Sequence, residues 1–92
     1  MMVIWKYPLD VTGTTDIPMP RGAIVLDVQA QHNTVVLWAL VDPALSLEVR
    51  RFSVYGTGIE IEGDPGIDLA TVQLFGGSLV LHVFEKWPSC DD

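Results

Sequence analysis

Thr34-Val-Val-Leu-Trp-Ala-Leu-Val-Asp-Pro43 is the stretch whose reading decides the fold. No polar side chain interrupts it from Val35 to Val41, and Val35, Val36, Trp38 and Val41 are β-branched or aromatic. A strand with one wet face alternates apolar and polar residues, and this run does not. It is therefore predicted as a strand covered on both faces. Asp42-Pro43 ends it, and the other strands are expected beside or over it.

Working upstream, Gln31-His32-Asn33 is about as short as a hairpin connection. Before it, Ala23–Gln31 alternates, with Ile24, Leu26, Val28 and Ala30 predicted inward and Val25, Asp27 and Gln29 outward. Arg21-Gly22 reads as a tight turn. Ile17–Pro20 (IPMP) stays extended, because each proline disfavours helix in the residue before it. Asp10–Asp16 (DVTGTTD) has turn chemistry. Met2–Leu9 is a first strand, with Val3, Trp5, Tyr7 and Leu9 on one side and Met2, Ile4 and Lys6 on the other.

Downstream, Pro43–Ser46 is a loop and Leu47–Tyr55 a strand whose apolar parity shifts across Arg50-Arg51. Either a β-bulge there or burial of both faces in the second half explains the shift. Gly56–Asp68 is the most polar segment, with a short strand expected at Ile59–Glu62 between glycine turns. Leu69–Phe75 and Ser78–Phe84 form a hairpin through Gly76-Gly77. Residues 85–92 are expected to form a loose tail. No helical periodicity appears. The expectation is one all-β domain over residues 1–92, a small antiparallel sandwich or partly closed barrel of about six strands.

The balance of 5 basic against 12 acidic residues gives a net charge of −7. Nonspecific nucleic-acid binding needs Lys and Arg to neutralise phosphates, so direct binding to nucleic acid or to an anionic membrane is disfavoured. Hydrophobic residues make up 49% of the chain, high enough for a full core or an additional buried interface, and a homodimer is one way to use it. A single cysteine, Cys90, cannot form an intramolecular disulfide. MMVIWKYPL lacks a basic region ahead of an apolar run, and no apolar run nears the ~20 residues of a membrane span. A soluble, cytoplasmic protein is expected.

His32, His82 and Cys90 are too dispersed for a zinc site. Glu60, Glu62, Asp64 and Asp68 lack the order of an EF-hand loop and read as a solvated charged hairpin. Gly56-Thr57-Gly58 opens like a phosphate-binding motif, but no helix follows to hold an anion. No serine sits in a nucleophile elbow. No catalytic, metal or cofactor site is expected. Aromatic residues near arginine dominate protein interfaces, so the candidate interface joins Tyr55, Arg50 and Arg51 to the acidic Glu60, Glu62, Asp64 and Asp68.

Several strings, IWKYPL (Ile4–Leu9), MPRGA (Met19–Ala23), LWALVDP (Leu37–Pro43), RRFSVYGTG (Arg50–Gly58) and GGSLVLHVFE (Gly76–Glu85), extend over nearly the whole chain. They resemble a family of small phage, prophage and bacterial proteins without an assigned function. The resemblance implies an accessory protein of phage or mobile-element origin in the bacterial host cytoplasm. By analogy, such a protein binds a host or phage protein without catalysis. Its acidic face would sterically block a host defence complex such as CRISPR–Cas, the role of an anti-CRISPR. Two other expectations remain open: a structural or assembly subunit of a phage particle or replication complex, and a small-ligand binder using the Gly56–Gly66 loop.

Overall fold

In a computed structural model describing residues 1–11 and 13–86, the apolar run becomes β4 (Thr34–Val41), the middle of a three-stranded antiparallel sheet. It lies between β1 (Val3–Leu9) and β3 (Ile24–Gln31). A four-stranded antiparallel sheet contains β2 (Gly13–Pro20), β5 (Leu47–Gly56), β6 (Ile67–Leu74) and β7 (Leu79–Lys86), in the order β2-β5-β7-β6. The two sheets do not close into a barrel, and the fold is sandwich-like. All-β architecture follows as expected from the sequence.

The inner faces meet in one apolar core. Val35, Leu37, Ala39 and Val41 project inward from β4, and Phe52, Val54, Val72, Leu81 and Val83 project from the opposite sheet. Burying such side chains contributes roughly 1.5–3 kcal/mol each, the main favourable contribution to folding. On the outer face of β4, Val36 is buried while Trp38 and Leu40 are half-buried. Lys6 Nζ on β1 donates to Gln31 Oε1 on β3 at 3.0 Å. Both residues share the outer face, so their methylene stems pass over β4 and roof Val36.

Three expectations change, and one alternative left open is resolved. A seventh strand, β2, replaces the predicted turn and extended tetrapeptide: Ile17 and Met19 bury at alternate positions against β5. Its prolines, Pro18 and Pro20, are tolerated because β2 is an edge strand. Ile59–Glu62 forms no strand. The parity shift in β5 is two-sided burial, with Phe52, Ser53 and Val54 all buried and its registers continuous. The bulges lie in β3, between Val25 and Asp27, and in β6, between Asp68 and Ala70. Finally, Glu85 and Lys86 complete β7 instead of opening a tail. Trp87 and Cys90 lie outside the described residues.

The β3–β4 hairpin turns through His32 (φ 52°) and Asn33 (φ 59°), the paired left-handed conformation of a two-residue hairpin turn. Asn33 Oδ1 accepts from the Phe75 N–H at 3.2 Å, joining this tip to the β6–β7 connection. That contact sets edge strand β3 alongside edge strand β6, and a 470 Å³ groove runs between them.

Candidate functional site

Arg50 and Glu85 project inward from β5 and β7 and are both buried. Arg50 Nε donates to Glu85 Oε2, and Nη2 donates to Oε1 at 3.0 Å. Nη1 donates to the Ala23 carbonyl at 2.6 Å, tying the four-stranded sheet to the chain entering β3. Such a fork-to-fork arrangement satisfies a buried guanidinium geometrically as well as electrostatically. Arg50 is therefore an interior bracket and not the surface anchor expected of it. Its parity with Ile17, the inward cross-strand partner on β2, places it there.

The next residue faces the other way. Arg51 Nε donates to Asp16 Oδ1 at 2.8 Å and Nη2 to Oδ2 at 3.1 Å, on the outer face of the four-stranded sheet. The hydrogen bond from Arg51 holds the Asp16 carboxyl below its usual 3.8. On the same face Tyr55 meets Phe84 edge-on, with ring centroids 5.9 Å apart. His82, the cross-strand partner of Tyr55, is held by two hydroxyls: Thr57 Oγ1 lies 2.6 Å from Nε2 and Thr71 Oγ1 3.1 Å from Nδ1. Both ring nitrogens are engaged, which suits a positioned structural histidine.

Beyond Tyr55 the chain leaves the sheet and returns at Ile67. This connection carries Glu60, Glu62 and Asp64, with Asp68 just inside β6, and all four side chains are exposed. Residues 57–68 contain no lysine or arginine. The segment is tied to the sheet near its two ends. The Thr57 N–H donates to the Val80 carbonyl at 3.2 Å, and the Gly66 N–H donates to Asp64 Oδ1 at 2.9 Å. Gly66, at φ 104°, packs so closely on the Glu85 carbonyl that a methyl group would overlap it. Where the segment begins, Gly56, Thr57 and Ile59 face Leu79, Val80 and Leu81 across a 390 Å³ cleft. Thus Tyr55 and Arg51 share one sheet face, while the four carboxylates occupy the neighbouring loop and strand end.

A second surface was not singled out by residue from the sequence. On the outer face of the three-stranded sheet, Ile4, Leu40 and Ile24 stand in one cross-strand row, with Leu26 beside them at the bulge. Ile4 is 59% exposed and Ile24 54%. The extra bulge residue turns Ile24 and Leu26 outward while Val25 packs on the core, which reverses the parity predicted for that half of β3. The only sequence sign of this surface was the overall apolar excess.

Among the described residues no group of three His, Cys, Asp or Glu side chains is arranged to hold a metal ion. No helix among them is long and apolar enough to cross a membrane. No curated protein and no solved structure matches the chain. The chain does belong to a family: residues 1–91 match the Domain of unknown function (DUF7352).

Proposed function

We propose that this DUF7352 member is a non-catalytic protein-binding module that docks its acidic loop on a basic surface of its partner. One observation carries the reading: Glu60, Glu62, Asp64 and Asp68 are all exposed on a segment tied near its two ends and without a single basic residue. Meanwhile Arg50 and Arg51 are engaged elsewhere, by Glu85 and Asp16. Concentrated charge of one sign raises encounter rates and selects an oppositely charged partner. The resemblance to phage and prophage proteins supports a mobile-element origin. It also supports a partner within host defence, such as a nucleic-acid-binding complex whose basic groove the loop would obstruct.

The test replaces the four carboxylates by their amides (E60Q, E62Q, D64N, D68N), which removes charge and keeps shape. Native and amide proteins serve as parallel baits in bacterial host lysate over a salt series. A protein retained by the native bait, lost progressively with salt and absent from the amide bait supports the reading. Identical capture by both baits refutes it. The 390 Å³ cleft beside Thr57 favours a second reading, a small apolar ligand. A thermal-shift screen of small apolar compounds that stabilised the native protein would favour it.

A further inference from the structure

We propose that the outer face of the three-stranded sheet is a self-association surface, on which two copies of this chain pack sheet against sheet about a two-fold axis running along β4. The cross-strand registers put Ile4, Leu40 and Ile24 in one row and Lys6, Trp38 and Asp27 in the next, all on this face. Lys6 and Asp27 are the charged residues that the strands place on it, one of each sign. Within the strands the face is therefore electrically balanced, in a chain whose net charge is −7, and Asp42, which follows β4, adds a negative charge at the Met2 end. The carboxylates of residues 60–68 belong to the other sheet and its loop.

A two-fold interface requires a patch complementary to itself: if residue i meets j, then j meets i. Rotation about an axis parallel to β4 brings β3 of the second copy over β1 of the first. Lys6 then faces Asp27, and Asp27 faces Lys6, giving two opposite-charge pairs. Ile4 faces Ile24 twice, and Trp38 and Leu40 meet their own counterparts on the axis. Stacked sheets cross at about 30°, which the two-fold gives when its axis is tilted from β4 by about half that angle, and over only three strands the rows stay within side-chain reach. To meet Asp27 of the second copy, the Lys6 ammonium leaves Gln31, the partner it reaches across β4 in the free chain. The Asp27 carboxylate accepts from the Val28 N–H at 2.8 Å and from Gln29 Nε2 at 2.7 Å, yet retains further lone pairs.

The exposed apolar area suffices for a weak two-copy interface. Met2 is 49% exposed and Leu26 48%, close to the values for Ile4 and Ile24. With the half-buried Trp38 and Leu40, these give on the order of 500 Å² per copy, or ~1,000 Å² for the pair, the lower end for a specific interface. Association in the micromolar range is expected, with monomers present at low concentration. This proposal does not depend on the acidic loop, and the amide variant described above is expected to dimerise like the native protein.

Sedimentation velocity from low to high micromolar concentration tests it. The native chain should shift from monomer to dimer. Ile4→Asp, a change at an exposed position, should weaken association at least 100-fold. Lys6→Asp and Asp27→Lys should each weaken it by about tenfold, and the double exchange should restore it, because the two-fold regenerates both pairs with reversed sign. Far-UV circular dichroism checks that each variant remains folded. A native protein that stays monomeric into the high micromolar range overturns the proposal. So does a folded double exchange that associates no better than the single variants, or a native monomer whose face is instead covered by a different protein.

Discussion

Replacing Glu85 by alanine removes the carboxylate that neutralises Arg50 inside the sandwich, and the expected loss is large. Both side chains are nearly sealed from water, at 6% exposure for Arg50 and 8% for Glu85. Stripping one member from such a buried pair costs about 3–5 kcal/mol, against ~0–1 kcal/mol for an exposed pair. A domain of this length holds about 5–13 kcal/mol in total, so the variant sits close to the edge of folding. With a urea dependence of roughly 1–1.5 kcal/mol per molar, the unfolding midpoint should fall by about 2–5 M. Tryptophan fluorescence and circular dichroism follow the transition. The companion double variant, Arg50→Met with Glu85→Leu, removes both charges and fills the space with apolar atoms. It should recover most of the loss, falling short by about 1–3 kcal/mol because the Ala23 carbonyl loses its donor. A Glu85→Ala cost below about 1 kcal/mol would refute the reasoning, as would a double variant no more stable than the single one.

Gly66→Ala should destabilise by at least 1–3 kcal/mol, about the cost of forcing a side chain into its left-handed backbone conformation, with overlap on the Glu85 carbonyl added; urea unfolding measures it. Tyr7→Phe should be neutral or stabilising by up to about 1 kcal/mol, because the Tyr7 hydroxyl is buried with no hydrogen-bond partner among the described residues and an unsatisfied group carries a desolvation cost. The same burial pushes the Tyr7 phenol above its ordinary value of 10.0, so its absorbance titration should lie on the alkaline side of free tyrosine. Asp16 has a folded pKa depressed by the Arg51 hydrogen bond, so its contribution is present above the unfolded value of 3.8 and disappears as pH falls through the lower folded value. Asp16→Asn should therefore flatten the acid limb of stability in the window between 3.8 and the lower folded value, and an unchanged acid limb would contradict the assignment.

The strands that carry strong apolar patterns were legible because periodicity reports burial directly. Val35 to Val41 marks the middle strand correctly, but the cover expected on both faces is complete only on the inner one: outside, Val36 is buried while Trp38 and Leu40 are half-buried. β2 was hidden because Thr14, Thr15 and Asp16 look like turn residues and two prolines follow. What makes it a strand is pairing with β5, a contact between residues far apart in sequence. The apolar outer face of β1, β4 and β3 was hidden by the bulge at Leu26, which reverses parity without a glycine or proline to announce it. Arg50 could be read as a surface anchor because arginine is seldom buried. Its interior place depends on Glu85, thirty-five residues away, which the sequence does not point to. The acidic segment was legible as solvated, because four carboxylates without a base have no interior to occupy, but the hairpin strand expected at Ile59–Glu62 is a loop.

Amide hydrogen exchange, followed with and without a partner retained by the native bait, tests the binding account most directly. The account predicts slowed exchange concentrated in residues 57–68, with β4 already slow in both states. Protection confined to other surfaces, with residues 57–68 exchanging as fast as in the free protein, would contradict it.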